Sequence, residues 1–166
     1  LFFLSLLSKE TSATFIALIP LIFFFFTGAE KKYNIHIAIA AIVPFVIFLA
    51  ARDAALQSGR AAGVVFMSNP LVSAPDFPTR LATALLGLGL YLKLLFIPYP
   101  LICDYSYNTI PLTDFQDKYA VLSLLVYVAL TITGIYRLRK NPKDTWAFGI
   151  LFFLLTIALF SNIPFL

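Results

Sequence analysis

Residues Tyr119 to Tyr136 read YAVLSLLVYVALTITGIY, and Arg137-Leu138-Arg139-Lys140-Asn141-Pro142-Lys143-Asp144 follow at once. The first stretch carries no charge. It is close to the length of about 20 apolar residues that a helix needs to cross a bilayer core. The second stretch is basic and short, as the connectors on the cytoplasmic side of a membrane protein are. A helix apolar on every face belongs in a protein core or in lipid.

Working outward from this stretch, the same alternation recurs. Trp146 to Phe160 is apolar, with Trp146 placed as an interfacial aromatic. Ile35 to Ala51 is apolar and stops at Arg52-Asp53. Ser12 to Thr27 is apolar, with Pro20 as a possible kink, and Gly28-Ala29-Glu30-Lys31-Lys32 closes it. Arg80 to Ile97 is apolar but holds Lys93, Gly87 and Gly89, and Pro98-Tyr99-Pro100 ends it. Leu1 to Ser8 is too short to cross and reads as the tail of a truncated span.

Composition agrees with these runs. Of 166 residues, 61% are hydrophobic, 16% aromatic and 12% charged. Soluble domains carry about 25% charge. The mean hydropathy is +0.93. Intrinsic disorder needs the opposite composition. The net charge of +4 comes from scattered residues and not from one basic face, which argues against nucleic acid as a partner. A single Cys103 excludes an internal disulfide and CxxC metal sites. A single His36 excludes a histidine metal cluster and a Ser-His-Asp triad, and no metal site is expected.

The expected fold is therefore all-α, a polytopic transmembrane helix bundle, and the chain reads as an internal piece of one membrane domain. The membrane segments are 1–8 (truncated), 12–27, 35–51, 80–97, 119–136 and 146–160. The extracytoplasmic loops are 52–79 and 98–118, with a short interfacial helix at 61–67. Both basic connectors, Glu30 to Lys32 and Arg137 to Lys143, should be cytoplasmic. An even number of crossings must then separate them, while three apolar segments lie between. Segment 80–97 is the weakest of the three and is read as re-entrant or oblique, entering and leaving on one side.

Charges near membrane segments single out candidate residues, because a cation or carboxylate in hydrocarbon normally faces a cavity or a partner. Lys9 and Glu10 stand between two apolar runs; they are either an interfacial turn or the edge of an anion-binding cavity. Lys93 either snorkels to the interface or points at phosphate. Arg80 reads first as an interfacial anchor, and Arg52 as the partner of Asp53. Asp104, hemmed in by Ile102, Cys103 and Tyr105, wants a cation, which Lys93 or Arg80 could supply. His36 reads as interfacial and Cys103 as a packing residue.

The turn Leu7-Ser8-Lys9-Glu10-Thr11 belongs to a wider pattern. The stretch from Leu90 through Lys93, Pro98-Tyr99-Pro100 and Asp104-Tyr105-Ser106-Tyr107-Asn108-Thr109-Ile110-Pro111-Leu112 continues it, and Ala147 to Asn162 closes it. Together they resemble the membrane part of the transmembrane and tetratricopeptide-repeat proteins. These are protein O-mannosyltransferases and their relatives, of the type C membrane glycosyltransferase fold. The resemblance implies a polyprenyl-phosphate-linked, mannose-like sugar as donor, and a hydroxyl of an acceptor protein on the extracytoplasmic side. Membrane lipid is the remaining partner. It implies a plasma membrane of a bacterium or archaeon, no certain cofactor and no assigned divalent metal.

The family's acidic catalytic pair would lie upstream of Leu1 and its repeats downstream of Leu166, so no catalytic residue is expected within this sequence. Departure of a lipid phosphate calls for cations. Lys9, Arg80 and Lys93 are the candidates for holding the donor phosphate, and Glu10, Asp104, Tyr105 and Tyr107 for positioning substrate. The alternative from a different class is a transporter or flippase for a lipid-linked or anionic substrate, since broken helices and intramembrane charge suit that role as well. A purely structural subunit leaves Lys93 and the polar loop without a purpose.

Overall fold

The computed structural model describes residues 1–27, 31–58, 71, 74–102, 109–161 and 163. Every regular element among them is helical: α1 (Phe2–Ser8), a 3₁₀ turn (Glu10–Thr14), α2 (Phe15–Phe26), α3 (Lys31–Ser58), α4 (Phe77–Phe96), α5 (Lys118–Lys140) and α6 (Thr145–Ala158). Three of the described helices are long and apolar enough to cross a membrane, over Ile35–Ala55, Phe77–Phe96 and Lys118–Lys140. The proposed interfacial helix at 61–67 lies outside the described residues.

The chain forms two compact units, Leu1–Ala62 with Thr131–Leu159, and Gly63–Leu130 with Phe160–Leu166. In the first, α2 packs chiefly on α3, and Leu6, Leu18, Phe25, Ala41 and Phe48 are buried there. The apolar window of α3 is only 11% buried. Ile35, Ile39, Val43, Val46 and Ile47 are exposed on it. A water-soluble helix would turn polar side chains outward; this one presents aliphatic side chains on both faces, as hydrocarbon permits.

Several boundaries differ from the sequence reading. The segment expected at 12–27 is a 3₁₀ turn running into α2. Five residues at about 2.0 Å and twelve at about 1.5 Å give about 28 Å, close to the ~30 Å hydrocarbon thickness. The segment stays shorter than the three helices long enough to cross, and Pro20 stays inside α2. Helix α3 does not end at Ala51 but continues through Arg52 and Asp53 to Ser58. The charges mark where the uncharged run ends, not where the backbone ladder does.

In the second unit α4 begins at Phe77, three residues before the expected start. Pro78 reads as a loop residue in the sequence, yet proline is well tolerated in a first helical turn. The Asp76 carboxylate accepts the Thr79 N–H at 2.8 Å and caps the helix. Hydrogen bonds from Thr79 hold the Asp76 carboxyl below its ordinary 3.8. Helix α4 then runs unbroken past Gly87 and Gly89 to Phe96. Helix α5 starts where the Asp117 carboxylate accepts the N–H groups of Tyr119 at 2.6 Å and Ala120 at 3.3 Å.

Three contacts fix how α4 meets the start of α5. The buried Thr83 hydroxyl accepts the Thr113 N–H at 3.0 Å and lies 2.7 Å from the Thr79 carbonyl, to which it donates. The Thr113 hydroxyl in turn reaches Asp117 at 3.4 Å. Further along, Gly89 lies against Ser123, and the Tyr127 hydroxyl donates to the Leu88 carbonyl at 3.1 Å. Proceeding from Thr83 to Gly89 on α4 therefore follows the direction from Asp117 to Ser123 on α5. The two helices run in the same sense at an acute angle, and the chain between Phe96 and Lys118 has to return to the level of Thr83.

Candidate functional site

The site is built where α4 and α5 approach. A Cβ placed on Gly89 would lie 3.1 Å from Ser123 Cβ and 3.2 Å from Ser123 Oγ, so the absence of a side chain at 89 permits the close approach. Beside this contact opens a groove of about 540 Å³ lined by Leu86, Gly89, Leu90, Leu92, Lys93, Tyr119, Leu122, Ser123 and Val126. Six of these nine carry aliphatic side chains or none. The polar ones are Lys93, Tyr119 and Ser123.

Lys93 comes four residues after Gly89, and Tyr127 four after Ser123. With the helices running in one sense, Lys93 stands roughly level with Val126 and Tyr127. That is about 13 Å along α5 from its first turn at 1.5 Å per residue. Lys93 is exposed on the groove wall. Ser123 is 4% exposed, and its Oγ is buried without a hydrogen-bond partner among the described residues. A buried hydroxyl left unpaired is costly.

The other candidate cation of this unit stands elsewhere. Arg80 lies in the first turns of α4, partly buried, with its Nε buried and without a partner among the described residues. Thirteen residues separate it from Lys93, about 20 Å along one helix. The two cannot grip one phosphate group. The sequence groups them because both belong to one apolar segment; an unbroken helix holds them near its opposite ends.

In the first unit Lys9 ends α1 and precedes the 3₁₀ turn in extended backbone, and it is exposed. Glu10 follows, and its Oε1 accepts from Arg52 Nε at 3.0 Å. The side chains of Arg52 and Glu10 are 46% and 67% exposed. The sequence pairs Arg52 with its neighbour Asp53; the structure turns its Nε to Glu10, forty-two positions earlier. Asp104, Tyr105 and Tyr107 lie outside the described residues. So does Cys103.

Ser123, Tyr119 and Gly89 line the groove without standing among the candidates drawn from the sequence. The available signal is the pairing of small residues, a glycine inside one apolar segment and a serine inside another, which marks close helix approach in membranes. Among the described residues no group of three or more His, Cys, Asp or Glu side chains stands close enough to hold a metal ion. Compared with protein-family models, with characterised proteins and with solved structures, the chain finds no match.

Proposed function

We propose that this chain is part of the membrane domain of a glycosyltransferase that moves a sugar from a polyprenyl-phosphate donor to a protein hydroxyl on the extracytoplasmic side. The observation that carries the reading is Lys93, an ammonium on the wall of a largely aliphatic groove. A lysine in an apolar membrane segment carries a desolvation cost unless it snorkels to water or meets an anion. An anionic head group would offset that cost, and an apolar lipid chain would complement Leu86, Leu90, Leu122 and Val126. The likeness of the Lys93 to Leu112 stretch to the transmembrane and tetratricopeptide-repeat proteins adds the type of donor.

In this reading α4 enters from the side where α5 begins, and the chain after Phe96 returns to that side. The common direction of the two helices supports this, and so does the basic end of α5, which belongs on the cytoplasmic side. The groove then opens within the extracytoplasmic half of the membrane. As the sugar–phosphate bond breaks, negative charge grows on the departing phosphate, and a fixed ammonium stabilises it without reorganising. The acceptor hydroxyl must pass its proton to a carboxylate, which the resemblance assigns to residues outside this sequence.

Transfer of a labelled sugar in membranes carrying the full-length protein tests this. Lys93→Met is expected to lower turnover on the order of 10²-fold, the usual loss for one charge-stabilising donor. Lys93→Arg should keep a measurable part of it. Wild-type turnover in Lys93→Met would dismiss the site.

A further inference from the structure

The first unit carries a second charged feature, at the end where α2, α5, α3 and α6 stop or start. Lys143 Nζ donates to the Thr27 carbonyl, just past α2, at 2.7 Å, and lies 5.9 Å from the Phe24 ring. Helix α3 begins at Lys31, four residues after Thr27, so at most about 14 Å of chain separates the two. The end of α5 supplies Arg137, Arg139 and Lys140. Arg137 is bound to Asp144, with Nε and Nη2 at 3.2 and 3.1 Å from its two oxygens. In the intervening sequence Glu30 and Lys31 cancel in charge.

After these pairings Lys32, Arg139 and Lys140 remain exposed at one end of the unit. The macrodipole accounts for two of them. Arg139 and Lys140 stand at the negative end of α5, where cations are favoured, whereas Lys32 stands in the first turn of α3, where they are disfavoured. Among the described residues Lys32 has no ion pair, and its place in the first turn of α3 is unfavourable; an external anion would offset that.

The same end is also apolar. Phe26 and Trp146 are 65% and 72% exposed there. The Phe26 ring meets that of Phe148 at 4.8 Å, which holds the end of α2 against the start of α6. A soluble anion would gain nothing from exposed Phe and Trp. A lipid offers phosphate to the cations and its glycerol and upper chain to the aromatic rings.

We propose that this end of the unit is a binding surface for the head groups of anionic phospholipids, with Lys32, Arg139 and Lys140 as its phosphate contacts and Phe26 and Trp146 as its lipid-facing rim. The surface is independent of the transferase reading and of Lys93.

The test uses the full chain in neutral detergent, where membrane orientation does not enter. Phosphatidylglycerol and phosphatidylcholine of equal chain length are titrated separately, and bound lipid is counted by native mass spectrometry. The wild type should bind phosphatidylglycerol on the order of a hundredfold more tightly, at about 1 kcal/mol for each of three cations. The combined variant Lys32→Gln, Arg139→Gln and Lys140→Gln should lose that preference, on the order of a hundredfold at about one decade or less per cation. Lys118→Gln, an exposed cation at the far end of α5, should keep it. Equal binding of the two lipids by the wild type overturns the proposal, as does a preference that survives the combined variant. Displacement of phosphatidylglycerol by millimolar inorganic phosphate overturns the assignment to lipid. If the combined variant does not fold, Arg139→Gln with Lys140→Gln serves in its place, with a fall of at least tenfold expected and an unchanged preference overturning the proposal.

Discussion

Ser123 closes on Gly89 so tightly that a methyl group at position 89 would lie 3.1 Å from the serine Cβ. A Cβ is fixed to its helix, so relief requires α4 and α5 to move apart. Gly89→Ala should therefore destabilise the protein by about 1–3 kcal/mol, the range for overpacked sites. Gly87, where an added methyl would meet nothing within 4 Å, is the control. Gly87→Ala should be neutral or stabilising by up to about 1 kcal/mol, through lower backbone entropy. Unfolding titrations in mixed micelles check both, and equal effects at the two positions would contradict the packing described.

Tyr127 ties the same helices by a different force. Its hydroxyl donates to the Leu88 carbonyl in buried surroundings. Tyr127→Phe removes that bond and keeps the ring, so the expected loss is about 1 kcal/mol. The same titration reads it. A loss above ~3 kcal/mol would mean that the ring packing had changed as well.

Asp144 caps α6 by accepting the Ala147 N–H at 2.9 Å and binds Arg137 at the same time. The Arg137 hydrogen bond, then the backbone N–H of Ala147, holds its carboxyl below the ordinary 3.8. A carboxyl depressed in the folded state contributes stability that is fully present above the unfolded value. That contribution is lost as pH falls below about 3.8 towards the lower folded value. Asp144→Asn should lower the melting temperature at neutral pH and flatten the acid limb of its pH profile. A variant whose acid limb matches the wild type would exclude this carboxylate as the source.

The Glu10–Arg52 pair is well exposed on both sides. Glu10→Gln should then change stability by less than about 1 kcal/mol, after allowance for solvent screening. Thermal unfolding separates this from any effect on transfer. A large drop in turnover at unchanged stability would mark Glu10 as a positioning residue, and unchanged turnover would leave it as a surface pair.

The helices are legible in the sequence to differing degrees. The segment read at 119–136 lies wholly within α5, and the basic connector marks its end, because an uncharged run of that length has few other structures available in lipid. The ends of α3 and α4 fall several residues from where the sequence puts them. In both cases the apparent stop is a residue type, Arg52 for one and Pro78 for the other, at a place where the backbone has no reason to stop. The candidate cations are visible as charges in apolar surroundings, but their grouping is not. Arg80 and Lys93 look like partners on one segment and stand about 20 Å apart along it.

By itself the sequence determined that this protein is helical, where its apolar runs lie and where charge punctuates them; three of the helices among the described residues are long and apolar enough to cross a membrane. Those properties depend on composition and run length, which local chemistry sets. Only the tertiary structure decided that α4 runs in the same sense as α5, that Lys93 borders a groove with Ser123 and Tyr119, and that Lys143 reaches Thr27. Such pairings join residues tens of positions apart. They follow from which small side chains let two backbones approach, and no local run of sequence specifies that.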